Sequence, residues 1–201
     1  MEDHDATATS RERLLTAART LFAQHGFEQT STAAVARLAG TSESQLIRYF
    51  RSKAGLLEAV FNDCWAGLNP ELQGRVVAAA NVREALTSVL ECLIDAFTKD
   101  QDSAYLLLFE GRRIRGDSSE INFSSGFRSF ETLLGVLITR GKRDRTFATT
   151  LNDRALGAAL LGLAESMIRE RVVAQRTNAP NPFTDEEIRA VFDAVMNGVA
   201  G

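Results

Sequence analysis

The sequence predicts an all-α fold of about nine helices, and three observations carry that expectation. Only three prolines occur, Pro70, Pro180 and Pro182, so helix breakers are scarce. No run alternates apolar and polar residues as a half-buried strand would. Helix starts and stops recur instead, with T-x-x-E capping boxes at Thr9/Glu12 and Thr184/Glu187 and glycines where apolar periodicities end.

The first helix opens at the Thr9/Glu12 box, places Leu14, Leu15, Ala18, Leu21 and Phe22 on one face, and stops at His25-Gly26. Two short helices follow, roughly Thr32–Leu38 and Ser42–Phe50, separated by Ala39-Gly40-Thr41. A fourth starts near Ser52, carries Leu56, Leu57, Val60, Phe61, Cys64 and Leu68, and is expected to end before Asn69-Pro70. Asn81 and Glu84 cap a fifth, with Leu86, Leu90, Leu93 and Phe97 inward. Ala104–Arg113 reads as a short, very apolar sixth helix. Phe123, Phe127, Phe130, Leu134 and Leu137 recur at helical spacing on a seventh, which closes at Gly141. Asn152 opens an eighth that runs to about Ala174, and the Thr184/Glu187 box opens a ninth that runs to Gly198.

Composition excludes several classes of function. The chain is 45% hydrophobic with a net charge of −3, so it does not coat nucleic acid by bulk charge. A reader of specific DNA needs only a local basic face. Cys64 and Cys92 sit in apolar helical patterns, which argues against a disulfide framework and for a reducing cytosolic setting. Met1–Ser10 is polar and acidic, and no stretch of about 18 apolar residues occurs, so no exported or membrane-spanning segment is expected. His4 and His25 lack metal-ligand partners at i+3 or i+4, and P-loop, G-x-S-x-G and G-x-G-x-x-G motifs are missing. No metal, no cofactor and no catalytic residue is expected.

The strongest local pattern runs from Thr32 to Leu46. Ala36 is small where two helices would cross, Gly40 follows at a turn needing positive φ, and Leu46 would pack under the crossing with Val35. Ser42 and Gln45 read as an S-x-x-Q capping box opening the second helix. The flanks make this helix-turn-helix specific. Leu21-Phe22, Gly26-Phe27 and Thr30-Ser31 precede it, and Tyr49-Phe50, Ser52-Lys53 and Leu56 follow. Over about 50 residues this closely resembles the TetR family of regulators. Gly141-Lys142-Arg143-Asp144-Arg145-Thr146-Phe147 is similar to a loop common after that family's seventh helix.

The resemblance implies a DNA-binding domain over 9–55, an effector-binding and dimerisation domain over 56–201, and a cytoplasmic bacterial protein, nucleoid-associated when on DNA. Its partners would be double-stranded operator DNA, a small-molecule effector and a second copy of the chain. It implies DNA contacts from Ser31 and Thr32 at a helix N-terminus, and from Tyr49 and Lys53 on the phosphate backbone. Base reading falls to Ser42, Glu43, Ser44, Gln45 and Arg48, with Gln45 suited to adenine and Arg48 to guanine or phosphate. Two residues depart from the family pattern. Ile47 stands where an aromatic is usual, and Glu43 where lysine or another polar residue is common. Glu28–Leu57 carries a net charge of only +2.

In the second domain, Phe61, Trp65, Phe97, Tyr105, Phe109, Phe123, Phe127, Phe130 and Met167 are candidate walls of an effector cavity, the alternative being an ordinary core. Glu110 and Glu165 interrupt apolar runs and would need partners, either a cationic or hydroxylated effector or an arginine. Leu160, Leu163, Ile188, Val191, Phe192 and Val195 lie on two helices apolar on more than one face and are expected at a dimer interface, as the family uses. The function implied is a regulator, a repressor released from a palindromic operator by a small, largely apolar effector. The alternative is a helical protein-binding scaffold that has lost DNA binding, for which Ile47 and Glu43 are the hints.

Overall fold

The computed structural model describes residues 9–110, 124–147 and 150–199; Phe123 lies outside them, as does the side chain of Glu110. Among the described residues nine α-helices and one π-helical turn follow one another with no strand. The chain divides into two compact units, Met1–Cys64 and Trp65–Gly201.

In the first unit α1 (Ser10–His25) starts at the expected capping box, with the Thr9 N–H donating to the Glu12 carboxylate at 2.7 Å and the Glu12 N–H to the Thr9 hydroxyl at 3.3 Å. It ends where the Gly26 N–H donates to the Phe22 carbonyl. Helices α2 (Thr32–Leu38) and α3 (Glu43–Phe50) form the helix-turn-helix. Gly40 takes φ +62° in their turn, as the sequence requires, while the Thr41 N–H donates back to the Ala36 carbonyl at 3.0 Å. Leu14, Ala18, Phe22, Val35, Leu46 and Leu56 are fully covered. Each buried Leu, Val or Phe of this kind contributes roughly 1.5–3 kcal/mol.

Helix α4 (Lys53–Ala78) departs from the expected stop at Asn69-Pro70 and runs straight through Pro70. Proline costs one helix bond there. Buried Leu68 and Leu72 on either side hold the helix to the core, and the Asn69 amide donates to the Gly126 carbonyl at 3.0 Å. Tertiary packing therefore overrides the local breaker.

In the second unit α5 (Val82–Lys99) is capped by Asn81. Helix α6 (Gln101–Tyr105) passes into a π-helical turn, Leu106–Glu110, so this segment begins three residues before the expected Ala104. Helices α7 (Ser125–Arg143), α8 (Asp153–Thr177) and α9 (Asp185–Gly198) complete the unit, α9 from its full Thr184/Glu187 box. One apolar core joins α5, α7, α8 and α9 through Leu86, Leu90, Leu134, Leu160, Ile188 and Phe192. Ion pairs bridge the helices around it: Arg75–Asp95 (α4–α5), Arg189–Glu91 (α9–α5), Arg176–Asp102 (α8–α6) and Arg171–Asp185 (α8–α9).

Candidate nucleic-acid interface

Helix α3 stands on two buried side chains, Leu46 and Phe50, which turns the rest of its surface outward. Glu43, Ser44, Ile47, Arg48 and Tyr49 are exposed, Ile47 at 42% and Tyr49 at 40%. Those are large values for an apolar and an aromatic group. The Arg48 guanidinium lies 5.4 Å from the centre of the Tyr49 ring. At the other end of the helix-turn-helix, Ser31 caps α2, its hydroxyl oxygen accepting the Ala34 N–H at 3.1 Å. The hydroxyl proton is then free to donate outward, beside the unpaired amides of a helix N-terminus, which is an anion-accepting arrangement.

Three expected side chains are engaged within the protein. Thr32 donates its hydroxyl to the Glu43 carboxylate, tying the first residue of α2 to the first of α3. Gln45 is half-buried and shares a 2.7 Å hydrogen bond with the Thr41 hydroxyl. Only the Ser42 half of the expected capping box therefore forms, with the Gln45 N–H at 3.2 Å from the serine oxygen. Lys53 points back into the unit and donates to the Phe27 and Glu28 carbonyls. Arg13 also fastens α1 to the turn, its Nε donating to the Ala39 carbonyl at 3.1 Å. An arginine on the polar face of an amphipathic helix carries no signal for that role.

Residues 14–60 match the sequence profile of the bacterial regulatory proteins of the tetR family. These residues carry a tetR-type DNA-binding domain, and the chain is a DNA-binding transcriptional regulator. Among curated relatives, the HTH-type transcriptional repressor Rv1474c of Mycobacterium tuberculosis is 26% identical over 98% of this chain and 96% of its own length. The nucleoid occlusion factor SlmA of Vibrio campbellii is 26% identical over 88% of this chain and 90% of its own. The transcriptional regulator FadR of Bacillus subtilis, solved in complex with stearoyl-CoA, superposes with a TM-score of 0.78 at 16% identity. That match covers 94% of this chain and 97% of FadR, a likeness of fold.

In a TetR-type chain the second unit is where an effector would be sought. The aromatic candidates separate into distinct places. Trp65 stacks on Phe130 at 5.3 Å and tilts against Phe127 at 5.7 Å. Tyr105 stacks on Phe109 at 4.9 Å, with the Arg176 guanidinium 4.0 Å from the Tyr105 ring centre and that of Arg169 5.9 Å from the Phe109 ring centre. Phe97 is core, Met167 and Glu165 are half-buried, and Phe61 belongs to the first unit. A small cavity of about 20 Å³ lies between α5, α7, α8 and α9, lined by Leu86, Val89, Leu90, Leu93, Phe130, Leu134, Leu160, Leu161, Ala164 and Phe192. Of the expected effector residues only Phe130 lines it. Leucines at ordinary helical spacing gave no warning of the others.

The expected interface residues on α8 and α9 also divide. Leu160, Ile188 and Phe192 are 1%, 1% and 4% exposed, covered by the unit's own core, so they have no surface to offer a partner. The assignment of these three to an interface is corrected on that ground. Leu163 is half-buried, and Val191 and Val195 remain exposed, together with Val173 on α8.

Proposed function

We propose that this chain is a homodimeric repressor that binds a palindromic operator through α2 and α3 and is released by a small, largely apolar effector held in the second unit. The observation that carries the DNA half is the outward face of α3, with Ser44, Ile47 and Arg48 beside the Ser31-capped N-terminus of α2. Arg48 suits guanine O6/N7 or a phosphate, Ile47 suits a thymine methyl, and Ser31 suits a phosphate oxygen. Two copies related by a twofold axis would place two recognition helices about one DNA turn apart. The exposed valines of α8 and α9 support that pairing. Its site of action is the cytoplasm, on the nucleoid, and its work is binding rather than catalysis.

For the effector, an all-apolar cavity supports an apolar ligand body, and the fold relative solved with stearoyl-CoA supports testing fatty acyl chains. At about 20 Å³ the cavity holds roughly one water-sized group, so a ligand must push its walls apart. An effector releases DNA only if it binds the DNA-incompetent state more tightly.

Fluorescence-anisotropy titration against DNA flanking the gene tests the reading. Salt-dependent, sequence-selective binding that weakens in Arg48→Ala supports it, and binding insensitive to sequence and to Arg48 ends it. Light scattering that finds only monomer at micromolar concentration removes the dimer. Melting with palmitoyl- or stearoyl-CoA tests the effector, since a ligand at 100 times its Kd stabilises by about 2.7 kcal/mol.

A further inference from the structure

Helix α1 carries two arginines in its first turn, Arg11 and Arg13. A cation there opposes the helix dipole, which favours carboxylates at that end, so neither residue is placed for the good of the helix. Arg13 spends its guanidinium inside the unit, on the Ala39 carbonyl at 3.1 Å and the Ser10 hydroxyl at 3.2 Å. Arg11 does not. It is exposed and makes no hydrogen bond or ion pair among the described residues. Its guanidinium instead meets α3, 5.6 Å from the centre of the Phe50 ring.

That ring is a fixed platform, since Phe50 is one of the two buried side chains on which α3 stands. The Phe50 ring centre lies 6.0 Å from that of the exposed Tyr49 ring, and the Arg48 guanidinium lies 5.4 Å from the Tyr49 ring centre. Arg11, Phe50, Tyr49 and Arg48 thus form one continuous row from the start of α1 to the outward face of α3. A guanidinium over an aromatic face keeps the N–H donors of its own plane available to a second partner. Its planar fork fits a phosphate bidentately. Holding the fork against a core ring also removes part of the rotamer freedom that binding would otherwise cost. The nearest carboxylate in sequence, that of Glu12, is taken up in the capping box by the Thr9 N–H at 2.7 Å.

We propose that Arg11 binds a backbone phosphate of the operator through its side chain, extending the DNA interface from α3 onto the first turn of α1. This rests on operator binding through α2 and α3, and the wild-type titration separates the two claims. Without salt-dependent operator binding by the wild type both fall. With it, and with Arg11→Ala indistinguishable from wild type, only the role of Arg11 falls.

The number of phosphates neutralised sets the salt dependence. Arg11→Ala is expected to weaken binding about tenfold and to lower the slope of log Kd against log salt by about 0.9 per protomer. Phosphates carry no sequence information, so operator and non-operator DNA should weaken by the same factor. Arg11→Lys keeps the point charge and should hold the slope near the wild-type value. The melting temperature of Arg11→Ala should stay at or above that of the wild type, because alanine suits the helix and removes a cation from its first turn. A residue that merely clamps α1 to α3 predicts the reverse, a lower melting temperature with the slope intact. An unchanged slope, or a loss confined to operator DNA, would overturn the proposal.

The wild-type protein gives a test that needs no variant. Under phenylglyoxal, which modifies guanidinium groups, read by peptide mass spectrometry, Arg11 should label in the free protein and be protected by operator DNA. Arg154, exposed on α8, should label equally in both states and serves as the control. Labelling of Arg11 that operator DNA leaves unchanged would sink the assignment.

Discussion

Alanine at two glycines of the same helix should move stability in opposite directions. Gly55 lies in the first turn of α4, where its N–H donates to the Ser52 hydroxyl at 3.0 Å. A Cβ on Gly55 would stand 2.2 Å from the Phe50 carbonyl oxygen, so about 1 Å must be found from backbone atoms. That carbonyl already accepts the Ser52 N–H at 2.8 Å, and the Phe50 ring is 6% exposed, so the last turn of α3 cannot yield without disturbing the core. Overpacking of this kind costs about 1–3 kcal/mol, against a helix-propensity gain of at most about 1 kcal/mol. Gly55→Ala should therefore lose roughly 1–2 kcal/mol and lower Tm by about 2–8 °C. A Cβ on Gly67, farther along α4, meets nothing within 4 Å. Gly67→Ala keeps the propensity gain and should raise Tm by about 2–4 °C. Circular-dichroism melts of the two variants decide the matter. A Gly55→Ala protein that melts at or above wild type, with operator Kd unchanged, would show that the close approach does not set the α3–α4 turn.

Arg48→Ala should weaken operator binding and, if the guanidinium neutralises a phosphate, reduce the salt slope by about 0.9 per protomer; an unchanged slope with lost sequence preference would assign it to a base. Glu43→Gln keeps an oxygen for the Thr32 hydroxyl but removes a negative charge from the face of α3. Binding to non-operator DNA should tighten several-fold and discrimination should fall, and competition titrations that find no gain in non-operator affinity would contradict this. Burial, followed by the charge of Glu71, pushes the Cys92 thiol up from 9.0 to about 11. Because the folded value exceeds the unfolded one, the stability it carries is complete below pH 9 and is lost as pH rises towards 11. Native iodoacetamide labelling at pH 8 should spare Cys92, and Tm measured from pH 8.5 to 10.5 should fall less in Cys92→Ala; equal slopes would refute the coupling.

The sequence announced those features of the fold that short-range chemistry writes. The Thr9/Glu12 and Thr184/Glu187 capping boxes, the Gly40 turn and the helix-turn-helix register are fixed within three to five residues and formed, while of the Ser42/Gln45 box only the serine half did. What it concealed was settled by distant partners. Pro70 reads as a stop until Leu68, Leu72 and the Asn69–Gly126 bond hold the helix on both sides of it. Leu160, Ile188 and Phe192 read as interface because helices apolar on two faces do not say which face the chain itself covers. Nothing near Lys53 in sequence reveals the carbonyls, 25 and 26 residues away, that its ammonium meets in this structure. Apart from Phe130 the cavity walls were hidden for the same reason, being mostly leucines that only the packing of four helices brings together.

The charge inventory of the reading head explains why positioning matters so much in this unit. The exposed cations on α2, α3 and their connection to α4 are Arg37, Arg48 and Arg51, and Glu43 opposes them. Three phosphate contacts would give a salt slope of only about −2.7 per protomer. A head of that kind holds bulk DNA weakly, because non-specific affinity is almost wholly electrostatic. Charge attracts from any direction, whereas a helix-terminal amide or a serine hydroxyl helps only when it is aimed within hydrogen-bond geometry. A weakly basic head must therefore draw more of its operator affinity from directed bonds, and those bonds need a rigid frame. The frame is visible around α2: Thr30 holds the loop before it, Arg13 holds the turn after it, and Thr32 ties its first residue to α3. Loosening any of these ties should cost specific binding more than non-specific binding, whereas removing an arginine should cost both.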